Sequence, residues 1–195
     1  MQIGATAGAA ATLSGRAFAT VLPPQPQINP GLRARALAAL NTRGNSVPYR
    51  DVIGICDFRR ASRDDRFYLL DVASGMTTSY QVAHGRGSDP LHTGWVERFS
   101  NEVGSEASSS GAYVTADVYN GKYGRSLRLH GLDPSNSNAD ARAIVVHSAW
   151  YAEADVAANT GKLGRSEGCF ALSQLSLQYV LLKLGPGRLL YADKV

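Results

Sequence analysis

Ile144-Val-Val-His147-Ser148 is a run of β-branched residues that ends in a histidine, and Gly164-Arg-Ser166-Glu-Gly168-Cys169 follows it after a loop. β-Branched runs favour strands, and Ser-Glu-Gly favours a turn. The pattern therefore puts a histidine at a strand end and a cysteine at the exit of a tight turn. A thiol needs a base to become a nucleophile near neutral pH, and histidine commonly supplies it. A loop between adjacent strands closes a sequence gap of this size, so Cys169 and His147 are read as a catalytic pair.

The neighbouring residues fit that chemistry. Gly168 has no side chain, which lets a carbonyl approach Cys169 closely and lets backbone N–H groups face a developing oxyanion. Ser166 can hydrogen-bond within the turn and hold its shape. Arg165 brings positive charge that favours a thiolate or a substrate carboxylate. No Asp or Glu adjoins His147, so a backbone carbonyl such as that of Ser148 is the expected acceptor that sets its tautomer.

Outward from this pair the chain reads as mainly β with a few helices. Strand-like runs occupy Val52–Phe58, Phe67–Val72, Thr77–Ala83, Ala112–Tyr119, Ser126–His130, Arg142–Ser148 and Arg188–Tyr191. Ala73-Ser-Gly75 predicts a hairpin between the second and third of these. Asn29-Pro30, followed by Leu32, Ala36, Leu37 and Leu40, predicts a capped amphipathic helix over 30–41. Helical turns are expected in Tyr151–Asn159, and a helix from Leu172 to Leu184 on the spacing of Leu175, Tyr179 and Leu182, ended by Gly185-Pro-Gly187. The long Gly/Ser/Asn-rich stretch from His84 to Ser110 is of a length that is usually functional or mobile.

At 195 residues, with 44% apolar and 18% charged residues, the chain suits one folded domain with a short extension. A formal charge of +4 without a basic block suits an anionic envelope better than nucleic acid. Residues 1–19 are small and weakly apolar and end in Ala17-Phe-Ala19, which reads as the tail of an export signal, in the style of the twin-arginine type although no Arg-Arg pair is present. Residues 20–48 read as a proline-rich linker plus the helix, and 49–195 as the catalytic domain. No run reaches the length of a membrane helix, which points to the periplasm without stable membrane insertion. Cys56, in an apolar strand, reads as a small buried hydrophobe, with a Cys56–Cys169 disulfide as the alternative. His84, His92 and His130 match no zinc spacing with His147 and Cys169, and no dinucleotide or phosphate-loop signature occurs, so neither metal nor cofactor is expected. His84 is taken as a structural residue or a substrate contact. Tyr113 and Trp150 are candidates for the substrate wall.

Ser166-x-Gly168-Cys169 preceded by His147-Ser148 resembles the catalytic motif of the L,D-transpeptidases. Ala83-His-Gly-x-Gly-Ser88, Phe99-Ser-Asn-x-x-Gly-Ser105, Tyr119-Asn-Gly-Lys122, Ala143-Ile-Val-Val-His147 and Gly161-x-Leu-Gly-Arg-Ser166 are similar to the second, YkuD-like branch of murein L,D-transpeptidase catalytic domains. The resemblance runs from about Arg50 to Tyr191. It implies a sandwich-type β fold and a cysteine acyltransferase whose donor and acceptor are peptidoglycan stem peptides. By position it makes Cys169 the nucleophile, His147 the base and then the acid, the Ser148 carbonyl the orienting acceptor, and the amides around Gly168 and Cys169 the oxyanion site. The acceptor would be the side-chain amine of diaminopimelate, giving 3-3 or 1-3 crosslinks. Water as acceptor would make a carboxypeptidase or endopeptidase, and loss of catalysis a wall-binding module. The chain departs from the common pattern in two places. Phe170-Ala-Leu172 stands where the commoner branch has an arginine after the cysteine, which leaves Arg165 to anchor the substrate, and the loop at Trp150–Lys162 is enlarged.

Overall fold

The computed structural model describes Met1 and residues 25–195, so the export-signal expectation and most of the linker lie outside the described residues. Among the described residues, eight strands and three α-helices follow in the order α1 (Pro30–Thr42), β1 (Val52–Asp57), β2 (Phe67–Asp71), β3 (Thr77–Tyr80), β4 (Gly111–Gly121), β5 (Gly124–Gly131), β6 (Val145–Ser148), α2 (Ala154–Thr160), β7 (Phe170–Leu172), α3 (Gln174–Leu184) and β8 (Leu189–Asp193). The mainly-β reading is correct. The strands make one sheet in the order β3-β2-β1-β8-β4-β5-β6-β7. The chain leaving β3 then returns to the far edge, where the Ala83 N–H donates to the Ala171 carbonyl of β7 at 2.8 Å. The sheet therefore curls until its two ends meet.

Side-chain alternation sorts this sheet into two faces. Cys56, Phe67, Leu69, Tyr113, Leu127, Leu129, Val146, Phe170, Leu172 and Leu190 point inward and build one core. α3 packs across it against β1, β2 and β6. At Gly54 the approach is so close that a Cβ would lie 2.9 Å from Leu190 Cδ1 and 3.1 Å from Leu184 Cδ2. The buried stripe of α3 is Leu177, Val180, Leu181 and Leu184. Leu175, Tyr179 and Leu182, whose spacing predicts the helix, lie on its exposed side. The element is present and the expected face is reversed, because this helix carries two apolar stripes and the wider one wins the core.

On the outer face, Ile53, Ile55, Tyr68, Leu70 and Leu189 are covered by α1 through Leu32, Ala36 and Leu40. The Asn29 side chain caps α1 by accepting from the Gly31 and Leu32 amides at 2.8 and 3.2 Å. At the other end of that face, Ala83 and Ala171 are covered by Ala152, Ala157 and Leu163. Between these two covers the outer face of β6 and the start of β7 is left as the wall of a cleft.

Candidate active site

β7 runs parallel to β6 with Val146 opposite Phe170 and His147 opposite Ala171. Val146 and Phe170 are core residues, so alternation turns His147 and Cys169 to the outer face. Both line a cleft of about 380 Å³. The shared cleft is a product of strand register: β6 and the residue that enters β7 present both side chains to the same space. β7 itself, three residues long, is not among the strands expected from sequence, and its last residue, Leu172, was expected to open the following helix.

The turn before Cys169 is held from within. The Ser166 hydroxyl donates to the Cys169 carbonyl at 2.7 Å and accepts from the Gly168 amide at 3.2 Å. Gly168 has φ +116°, and a Cβ there would lie 2.7 Å from Ile144 Cδ1 and 2.8 Å from the Ala107 carbonyl. Only glycine fits this position. The Cys169 thiol lies 3.6 Å from the Ala143 carbonyl. Burial pushes its pKa up from the ordinary 9.0, against a Val145 backbone hydrogen bond and the Arg142 charge, which favour the thiolate.

His147 Nδ1 lies 2.9 Å from the Ser148 carbonyl. A carbonyl only accepts, so Nδ1 carries the proton and Nε2 keeps the lone pair a base needs. Burial lowers the His147 pKa below the usual 6.5, and the Ser148 carbonyl opposes the shift. The two shifts agree in favouring an uncharged resting pair, thiol and imidazole, over a thiolate–imidazolium pair. The Ser148 hydroxyl points away and donates to Gln174 Oε1 at 2.8 Å.

The cleft walls are cationic: Arg86, Lys122, Arg142 and Arg165 line it against a single acid, Glu167. Arg86 is engaged by Glu106 and reaches Glu167 at 3.4 Å. Arg165 donates to the carbonyls of Asp89 and Pro90. Arg142 donates to the Ser100 carbonyl at 2.7 Å and the Ser109 hydroxyl at 2.6 Å, and also to the Ala107 carbonyl. Carbonyl and hydroxyl partners leave the charges of Arg142 and Arg165 uncompensated, so the cleft suits a substrate that carries carboxylates.

Of the residues singled out from sequence, Cys169, His147, Ser166 and Arg165 line the cleft, with Gly168 behind the thiol and Ser148 behind the imidazole. Three others lie elsewhere. Tyr113 is fully buried in the core, edge-on to Phe170, with its hydroxyl on the Ser109 carbonyl at 2.9 Å. His84 is fully buried between Arg66 and Asp89. Trp150 is 79% exposed outside the cleft, and its neighbour Tyr151 is the wall residue. Other cleft residues were missed, among them Arg142, Tyr123 and Tyr151. Arg142 sits just before β6, where a strand was expected to begin. Tyr123 occupies the tip of the β4–β5 hairpin, whose Gly121-Lys-Tyr-Gly124 composition was the one available signal. Tyr151 follows the tryptophan that drew attention instead. Cys56 and Cys169 are both free, so no disulfide joins them. Among the described residues no group of three His, Cys, Asp or Glu could hold a metal ion.

No curated protein matches this sequence. Among solved structures it is similar to an L,D-transpeptidase from Mycobacterium smegmatis, with 12% identity over 73% of this chain and 58% of that one, and a TM-score of 0.44. It is also similar to the helical cell shape determining protein of Campylobacter jejuni, with 12% identity over 83% of this chain and 55% of that one, and a TM-score of 0.45. The chain thus spans less than two thirds of the length of these structures. The L,D-transpeptidase catalytic domain model matches residues 25–192, a span that takes in Cys169 and His147 and the described helices and strands up to the last residue but one of β8. By that match the chain belongs to the L,D-transpeptidase catalytic domain family.

Proposed function

We propose that this protein is an exported peptidoglycan L,D-transpeptidase in which Cys169 is the nucleophile and His147 its base. The observation that carries this reading is the shared cleft: an imidazole on β6 and a thiol just before the adjacent β7, with the Ser148 carbonyl leaving His147 Nε2 unprotonated. Nε2 takes the Sγ proton as sulfur attacks the carbonyl of the L-centred third residue of a donor stem peptide. The Cys169 backbone N–H and the Arg142 charge face the oxyanion that forms. Collapse breaks the peptide bond, and imidazolium returns the proton to the departing D-alanine amine, leaving a thioester on Cys169. The side-chain amine of diaminopimelate on a second stem then attacks the thioester. His147 accepts its proton and the thiol is restored, giving a 3-3 crosslink. The cationic walls fit a donor rich in carboxylates. Work at the cell wall agrees with the export-type composition of residues 1–19, and among the described residues no helix is long and apolar enough to cross a membrane.

The test is intact-mass analysis after incubation with defined tri-, tetra- and pentapeptide muropeptides. The expected result is an acyl adduct on the wild type that Cys169→Ala lacks, with new dimers among the products. An adduct with monomer products alone would make the enzyme a carboxypeptidase. No adduct and no product from any stem would overturn the catalytic reading.

A further inference from the structure

The back wall of the Cys169 turn is the segment that follows β3. Ser166 is paired on both sides: its N–H donates to the His84 carbonyl, and its carbonyl accepts from the Arg86 amide, each at 2.8 Å. Between those two bonds Gly85 lies flat against Gly168, where a Cβ would stand 2.8 Å from the Gly168 nitrogen and Cα. The Gly85 amide donates to the Ser108 hydroxyl at 3.0 Å, and that hydroxyl reaches the Gly168 carbonyl at 3.4 Å. With the Ala83–Ala171 bridge, residues 83–86 template the nucleophile turn from Ser166 through the first half of β7.

The side chain in the middle of this template leads inward to a buried chain of charge. Arg66 is fully buried, and it donates to the Val82 carbonyl through Nε at 3.0 Å and Nη2 at 2.7 Å, and to the Arg60 carbonyl at 2.9 Å. Its Nη2 also lies 2.7 Å from His84 Nδ1. Arginine can only donate, so Nδ1 is the acceptor and the His84 proton sits on Nε2, which faces Asp89 Oδ2 at 3.3 Å. Asp89, also fully buried, accepts from the Thr93 amide and hydroxyl and from the Gly94 amide at 2.7 to 3.0 Å. Its backbone carbonyl in turn accepts from Arg165 on the cleft wall. A neutral imidazole thus bridges a buried cation and a buried anion, and leaving either without its partner is expensive.

We propose that His84 is a positioning residue for the nucleophile: the Arg66–His84–Asp89 chain fixes the 83–86 template, and through it the Ser166–Cys169 turn that holds the thiol beside His147. This rests on the reading of Cys169 as the nucleophile. The His84 ring bonds to Arg66 and Asp89, neither of which lines the cleft, and it acts only through the backbone bonds it anchors. The apolar shape of the site alone would not call for histidine. An acceptor towards Arg66 and a donor towards Asp89 on one ring do.

The experiment compares His84→Leu, which removes both hydrogen bonds at similar volume, with His84→Gln, which can keep an acceptor and a donor. Leu32→Ala in the α1 cover serves as a control that lowers stability far from the cleft. Two readouts are taken well below each Tm: the iodoacetamide labelling rate of Cys169, mapped by peptide mass, and the rate of acyl-enzyme formation with a stem tetrapeptide. Loosening of the turn exposes the thiol and misplaces it, so His84→Leu is expected to label a few-fold faster yet acylate about ten- to a hundred-fold slower. His84→Gln should recover most of both rates, and Leu32→Ala should change neither. If His84→Leu lowers Tm but leaves both rates with those of Leu32→Ala, the proposal is overturned. Should His84→Leu fail to fold, Asp89→Asn replaces it, with the same divergence of the two rates expected and the same result overturning it. Labelling needs no catalytic activity, so absence of acylation in the wild type would sink the transpeptidase reading while the labelling arm still decides this one.

Discussion

The Tyr123 ring stacks on the His147 imidazole, with centroids 4.4 Å apart and 21° between planes. This contact covers one face of the His147 ring, and burial is the cause of its lowered pKa. Tyr123→Ala should uncover the ring and let the pKa rise towards 6.5, moving the acid limb of acyl-enzyme formation to higher pH. The looser imidazole should also lower the plateau rate by about ten-fold. Tyr123→Phe keeps the stack and should leave the profile in place. A pH series of acylation rates for the three proteins checks this.

With a thiol pKa raised above 9.0 by burial, Cys169 should be almost wholly protonated at neutral pH. Its iodoacetamide labelling should therefore keep climbing past pH 9 instead of levelling near pH 6, as it would for a thiolate–imidazolium pair. A plateau at neutral pH would contradict an uncharged resting pair.

Gly168→Ala places a methyl group 2.7 Å from Ile144 Cδ1 and 2.8 Å from the Ala107 carbonyl, at φ +116°. Backbone strain of this kind costs about 1–3 kcal/mol, and the turn can relieve it only by moving Cys169. The expected result is a lowered Tm together with loss of acyl-enzyme formation. A variant with wild-type acylation would show that the turn tolerates a second conformation.

Acid should weaken the fold through its buried histidines. Burial, with the Arg66 charge, pushes His84 down from 6.5 to about 3, and burial lowers His147 as well. The unfolded chain takes up protons at these sites near pH 6.5 and the folded chain resists. Stability from this source is complete above pH 6.5 and is lost as pH falls from there towards about 3. The slope reaches at most about 1.4 kcal/mol per pH unit for each group. Urea midpoints measured through this range should fall for the wild type and fall less for His84→Gln.

Much of this architecture was legible because it rests on alternation. The hairpin of β2 and β3, the strands β4, β5 and β6, and the Asn29-capped helix all follow from local pattern. The reversed face of α3 was not legible: Leu175, Tyr179 and Leu182 and Leu177, Val180, Leu181 and Leu184 are both helical stripes, and only the curled sheet decides between them. The placing of Cys169 and His147 on one cleft was legible from residue type, but its cause, the parallel register of β6 with the very short β7, was not. His84 and Tyr113 sit in motif-rich or aromatic surroundings that look alike in sequence whether a side chain faces substrate or core. Arg142 was missed because nothing local marks a guanidinium that reaches back to residues 100–109.

Although β8 follows the other described strands in sequence, it lies in the middle of the sheet, parallel to β1 on one side and antiparallel to β4 on the other. Without it, β3-β2-β1 and β4-β5-β6-β7 share no strand pairing, and the backbone bridges left between them are those of Ala83 to Ala171 and Gly85 to Ser166. A nascent chain still missing Leu189–Asp193 therefore lacks the seam that brings its halves together, and contacts of such sequence separation form late and slowly. The bridges behind Cys169 join the chain that follows β3 to the β6–β7 end of the sheet, so β8 is the strand that holds the two groups in the register those bridges need.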